Sequence, residues 1–139
     1  MDIVDEPVEI KEKTETCGSG DSRGCAVSSG LVVAIYREKM GEGDEELGKI
    51  LIKAFINSLT ELPTPPKSVI FVNTGVLLAS DGANTIDDLK KLEQSGTTIL
   101  SCGICVEYYG IQDKIAVGSV AFMSDVIEIM ASAGNIISI

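Results

Sequence analysis

The chain is 139 residues long, enough for one domain, and its 45% apolar content supports a hydrophobic core without disulfide staples. Lys and Arg total 11 against 21 for Asp and Glu, a formal net charge of −10 that argues against nucleic acid or an anionic membrane surface as a partner. Histidine is absent, which excludes Ser-His-Asp and Cys-His catalysis and histidine metal sites within one subunit. No apolar run approaches the roughly 18 residues of a membrane span. The start, MDIVDEPVEIKEK, is acidic where a signal peptide is basic, so a cytoplasmic location is expected. In a reducing compartment the four cysteines point to catalysis, sulfur handling or metal binding rather than to a disulfide framework.

Residues 1–30 are acid-rich and end in CGSGDSRGCAVSSG, a composition that buries too little surface to offset its ordering entropy. A disordered tail or interdomain linker is expected there, with Cys17 and Cys25 as mobile thiols, ahead of a folded domain at 31–139. Residues 31–36 (LVVAIY) form a continuous apolar run suited to a central strand. The loop that follows ends in Gly41-Glu42-Gly43, and Asp44 then supplies an N-cap with Glu45 and Glu46 in the first turn. Leu47, Ile50, Leu51, Ala54, Phe55, Leu59 and Leu62 make one apolar stripe of a helix, predicted to face the core, with Lys49, Lys53 and Asn57 on the wet side. Ile52 and Ile56 lie off that stripe and suggest a contact between subunits of a homo-oligomer.

Pro63, Pro65 and Pro66 end the helix, and residues 68–73 (SVIFVN) are a second strand that turns at Thr74-Gly75. Residues 76–80 suit a short strand or a buried loop. Thr85 and Asp88 have the spacing of a capping box for a helix carrying Ile86, Leu89 and Leu92 and closed by Gly96. The third strand runs into Cys102, while the mixture of small and apolar residues at 115–123 resists assignment. Ser124 and Asp125 open a last helix, Gly134 closes it, and residues 136–139 form a final strand. Strands alternating with helices imply right-handed βαβ units: an α/β fold in three layers, with a mainly parallel sheet of about five strands.

The most informative stretch is TTILSCGICVEYYG, residues 97–110, where a β-branched run meets Gly103 and a Cys-X-X-Cys pair. Cys105, Val106 and Tyr109 have helical spacing, so a strand hands over to a helix at Cys102. Ligands of open α/β sheets sit outside the carboxyl ends of the strands, and free N–H groups at a helix start favour a thiolate over a thiol. Cys102 is therefore the leading candidate for a reactive atom, with Cys105 as a resolving or receiving thiol. Gly41, Gly43, Asn73, Gly75 and Gly103 are candidates for lining the crevice, because they lie at neighbouring strand ends or at the junction itself. GEGDEELG lacks the G-X-G-X-X-G spacing of a nucleotide loop, and its acids would repel phosphate. Four chemistries remain open to the cysteines: persulfide sulfur transfer, a dithiol redox couple, a four-cysteine zinc site with poor ligand spacing, and simple packing of small side chains. A non-catalytic binding module is the alternative of a different class.

Three motifs in order, MGEGDEELGKILIKAFINSLTEL, FVNTGV and LSCGICVEYYGI, resemble the carboxyl-terminal, DsrE-like domain of the YedF family, which is associated with sulfur transfer and linked to selenium metabolism. The resemblance runs from about Gly30 to the C-terminus. It implies a DsrE-like α/β fold, homo-oligomeric assembly, and a cysteine after the third strand that carries sulfane sulfur; no cofactor is expected. By its distance to Gly110, Cys102 matches that cysteine, while Cys105 belongs to the narrower family. The family has an amino-terminal TusA-like domain with a Cys-Pro-X-Pro motif, which this sequence lacks. Residues 1–30 resemble the linker of such a protein, so a TusA-like sulfur carrier, as a domain or a separate protein, is the implied partner.

Overall fold

The computed structural model describes residues 30–139; the expected tail, with Cys17 and Cys25, lies outside the described residues except for Gly30. Five strands, β1 (Leu31–Ile35), β2 (Ser68–Phe71), β3 (Thr98–Cys102), β4 (Ser119–Ala121) and β5 (Asn135–Ser138), form one parallel sheet in the order β4-β3-β2-β1-β5. Four helices connect them: α1 (Glu45–Leu59), α2 (Ile86–Gln94), α3 (Gly103–Tyr108) and α4 (Met123–Ala131). Between β2 and α2 the chain makes a 3₁₀ run, Asn73–Ala79, where the sequence suggested a strand or a loop. The unassigned residues 115–123 hold the three-residue edge strand β4, too short to carry a period of its own.

The strand order explains the layers. From β1 to β4 each strand is laid beside its predecessor in one direction, so right-handed crossovers put α1, α2 and α3 on one face. The step from β4 back to β5, on the far side of β1, reverses direction and puts α4 on the other face. Packing agrees: Val33, Ile35, Val69, Phe71 and Ile99 meet Ile52, Ile56, Leu89, Leu92 and Val106 on the first face. Val32, Ile70 and Leu100 meet Val126 and Ile129 on the second. This is the three-layer α/β architecture the sequence implies. Strand β1 lies inside the sheet and is covered on both faces, so Val32, Val33, Ala34 and Ile35 are all buried, which is why it reads as an unbroken apolar run.

The orientation of α1 corrects the sequence reading. Asp44 caps it as expected, its Oδ1 accepting the N–H groups of Glu46 and Leu47 at 2.8 and 3.2 Å. The buried side, however, is Gly48, Ile52, Ile56 and Leu59, while Leu47, Ile50 and Leu51 are 51%, 58% and 41% exposed. The helix is rotated by about one residue's 100° from the predicted stripe. Two apolar stripes compete on α1, and Gly48 decides between them: a Cβ there would lie 3.0 Å from Lys39 Cβ and 3.2 Å from Met40 O, so this side fits closely under the loop after β1. The patch left over is thus Leu47, Ile50 and Leu51, not Ile52 and Ile56.

The expected capping box at α2 is also absent. Thr85 Oγ1 donates instead to the Leu78 carbonyl at 2.7 Å, where a buried acceptor needs a donor. Asp88 turns to α1 and accepts from Lys53 Nζ at 2.9 Å and Asn57 Nδ2 at 3.3 Å, tying the two helices together. Burial works against this carboxylate, but the hydrogen bonds from Lys53 and Asn57 and the charges of Lys53 and Lys91 outweigh it and hold Asp88 below the ordinary aspartate value. A depressed folded pKa gives stability that is fully present above the unfolded value of about 3.9 and is lost as pH falls through the folded one. Asp88→Asn is therefore expected to lower stability by about 1–2 kcal/mol at neutral pH, since Lys53 is partly solvated. Below about pH 4 the wild-type melting temperature should fall more steeply than that of the variant, and parallel curves would contradict this account.

Candidate functional site

The site forms where the carboxyl ends of β2 and β3 lie side by side. Cys102 is the last residue of β3 and stands at the N-cap position of α3, its φ of −65° and ψ of 124° still extended. Its side chain is 0% exposed. Cys105, in the first turn of α3, is only partly buried, and its Sγ accepts the main-chain N–H of Asn73 at 3.0 Å. Cys102 lies near enough to act on the ionisation of Cys105. Burial pushes the Cys105 thiol up, the Asn73 N–H pulls it the other way, and the neighbouring Cys102 adds to the rise; the net direction is upward.

Asn73 begins the 3₁₀ run directly after β2 and has a φ of 57°, the one positive value at a non-glycine among the described residues. An L-residue there costs roughly 1–2 kcal/mol, least for asparagine, whose side chain can bond locally. Here Asn73 Oδ1 accepts the Tyr109 hydroxyl at 3.2 Å. Gly75 makes the run possible: a Cβ on it would sit 2.3 Å from the Ile35 carbonyl oxygen, so only glycine lets this turn lie against the end of β1. Gly103 lies on the other flank, where a Cβ would be 3.3 Å from both Ala121 O and Val120 Cγ1. It lines an apolar groove of about 360 Å³ with Ile104, Val120, Phe122 and Met123. There the chains leaving β3 and β4 part to opposite faces, as at a topological switch point.

Of the residues singled out in the sequence, Cys102, Cys105 and Asn73 come together, Gly75 shapes the turn that carries Asn73, and Gly103 borders the groove. Gly41 and Gly43 are exposed in the loop after β1 and make no hydrogen bond to this site among the described residues. That loop reaches the site side through Glu38, whose N–H donates to Thr74 Oγ1 at 3.3 Å. Sequence reasoning placed Tyr109 on a helix without giving it a role; its position four residues after Cys105, on the same helical face, was the available signal. It also passed over Ser101, whose fully buried hydroxyl has no hydrogen-bond partner among the described residues.

Among the described residues no group of three or more Cys, Asp or Glu side chains is placed to hold a metal ion, and the four-cysteine zinc arrangement would need Cys17 and Cys25. No helix among them is long and apolar enough to cross a membrane. What the pair can do is thiol chemistry: one sulfur is partly exposed and the other is buried. Iodoacetamide under native conditions should label Cys105 well ahead of Cys102, with its rate still climbing above the ordinary cysteine value of about 8.5. Equal labelling of the two, resolved by peptide mass, would contradict the burial described here.

No family model matches the chain, and no curated protein matches it significantly. Solved structures do. The YchN protein of E. coli superposes with a TM-score of 0.59 at 14% identity, over 78% of this chain and 97% of that one. MTH1491, a protein of unknown function from Methanobacterium thermoautotrophicum, gives 0.58 at 17% identity, over 78% and 97%. BT1422, a conserved protein of unknown function from Bacteroides thetaiotaomicron, gives 0.56 at 16% identity, over 80% and 96%. At these identities the likeness concerns the fold alone, and that fold is DsrE-like: a five-stranded parallel sheet flanked by helices.

Proposed function

We propose that the Cys102–Cys105 pair relays a sulfane sulfur, and that the chain is a DsrE-like sulfur-relay domain of the YedF type working in the cytoplasm with a TusA-like carrier. Selenium is the alternative cargo. The observation that carries this reading is a half-buried Cys105 sulfur, met by the Asn73 N–H, next to a fully buried Cys102 that acts on its ionisation. A donor persulfide reaches Cys105. The Cys105 thiolate attacks the outer sulfur of the donor, the donor's S–S bond breaks, its thiolate leaves, and Cys105 becomes a persulfide. Cys102, as thiolate, then attacks that same outer sulfur, and Cys105 departs as thiolate. Each step forms one S–S bond and breaks one, so the sulfur keeps its oxidation state and no outside oxidant is required. Burial of Cys102 shields the labile sulfur from water and stray thiols.

The same pairing of a half-buried with a buried thiol favours a second reading, a dithiol couple, in which Cys102 attacks the inner sulfur, expels hydrosulfide and leaves a Cys102–Cys105 disulfide. Intact and peptide mass after incubation of the full chain with a small-molecule persulfide separates the two. Wild type should gain one sulfur, Cys105→Ser none at position 102, and Cys102→Ser should load at Cys105 but surrender the sulfur quickly to added thiol. A disulfide in place of a sulfur adduct would support the redox couple, and no change at either cysteine would leave a binding module.

The partner proposal includes further copies of this chain. Leu47, Ile50 and Leu51 present an apolar stripe on α1 that nothing among the described residues covers, and a homo-oligomer would bury it. Light scattering at micromolar concentration should show an oligomer that Ile50→Glu dissociates without loss of helix content. A monomeric wild type would end this part of the proposal.

A further inference from the structure

Resting on the relay reading for its consequence but not for its geometry, we propose that the Asn73 main-chain N–H is the donor that stabilises Cys105 sulfur when it bears negative charge, and that Tyr109 is the positioning residue holding Asn73 in place. The Asn73 N–H meets a side-chain sulfur rather than a backbone carbonyl, at 3.0 Å. The left-handed φ of 57° is what turns the chain from β2 into the 3₁₀ run while leaving that N–H directed at α3. Strained conformations of this kind persist only where the surroundings impose them, and they concentrate at functional sites.

Two neighbours impose it here. Gly75 seats the turn against Ile35, and the Tyr109 hydroxyl holds the Asn73 side chain at 3.2 Å. Tyr109 is in turn fixed to Cys105, because its own N–H donates to the Cys105 carbonyl at 3.0 Å. The end of β2 and the helix α3 are thereby linked twice, once through sulfur and once through a phenol, and the links share Asn73. Of the influences on Cys105, only this N–H favours the thiolate; burial and Cys102 oppose it. Helix α3 packs on β3, β4 and the 3₁₀ run. The ionisable groups these elements bring are Cys102 at the end of β3, Glu107 and Tyr108 on α3 and Tyr109 at its C-cap, with none on β4 or the 3₁₀ run. The loop after β1 adds Arg37 and Glu38 beside Gly75 and Thr74.

The test is the pH profile of Cys105 alkylation in the full chain, read by peptide mass, with folding checked by circular dichroism. Tyr109→Phe removes one hydroxyl and should slow labelling at neutral pH about 3- to 10-fold, the effect of one net hydrogen bond. It should move the midpoint upward and leave the high-pH plateau level or higher. A tyrosine that merely packs would alter the plateau or the melting temperature and leave the midpoint in place. Asn73→Ala, which disfavours the left-handed conformation, should shift the midpoint at least as far. Asn73→Gly adopts that conformation freely, so its midpoint should stay near wild type, and adding Tyr109→Phe to it should change nothing further. An unmoved midpoint in Tyr109→Phe, or an equal shift in the Asn73→Gly background, would overturn the proposal. Sulfur loading of the same proteins is scored separately: a moved midpoint without sulfur uptake supports the clamp and removes the relay.

Discussion

Right-handed crossover between parallel neighbours is the constraint on which the rest of this molecule depends. It lays β1, β2 and β3 side by side with their connections on one face, so the carboxyl ends of β2 and β3 are adjacent and the chain leaving each must share the same space. One exit is the 3₁₀ run that starts at Asn73; the other is α3, which starts beside Cys102. Their meeting point is the bond from Asn73 N–H to Cys105 Sγ. Reversal after β4 sends α4 to the opposite face and opens the apolar groove beside Gly103, so α3 has the sulfur site on one flank and a groove on the other.

Energetics at the site are finely balanced. A left-handed asparagine costs about 1 kcal/mol and the buried, unpartnered hydroxyl of Ser101 adds to that cost, while the bonds to Cys105 and Tyr109 return about 0.5–1.5 kcal/mol each. The sum is near zero, so these features do little for overall stability. What they supply is geometry, a donor set against the burial and the neighbouring Cys102 that together raise the Cys105 thiol. A raised thiol resists adventitious oxidation, and a thiolate of higher pKa is intrinsically the better nucleophile once formed.

Much of this was legible in the sequence, for identifiable reasons. Continuous apolar runs at β1 and β2 report strands buried on both faces, and the Asp44 cap reports a side chain answering its own backbone. The handover from β3 to a helix at Cys102 followed from a β-branched run meeting glycine. The orientation of α1 did not follow, because Leu47, Ile50 and Leu51 are as apolar as Ile52 and Ile56, and the choice rests on the tight fit of Gly48 beneath the preceding loop. Asp88 misled for a related reason: a capping spacing is local, but its partners Lys53 and Asn57 come from another helix. Gly41 and Gly43 sit in the loop after a strand end, as reasoned, yet that loop turns toward the start of α1 through the bond from Met40 N–H to Gly48 O.

At the site, the sequence named both cysteines and Asn73 and gave the reactive role to Cys102 and the resolving role to Cys105, but it did not show their exposure, because burial is a tertiary property. Cys102 reads as the reactive atom from its junction, yet the fold buries it completely and leaves Cys105 partly exposed. The most direct measurement is a rapid-quench time course on the wild-type chain mixed with a small-molecule persulfide, in which peptide mapping follows where the extra sulfur resides. The relay account predicts that it appears first on Cys105 and then on Cys102 as Cys105 declines; sulfur arriving on Cys102 without passing through Cys105, or on neither, would contradict it.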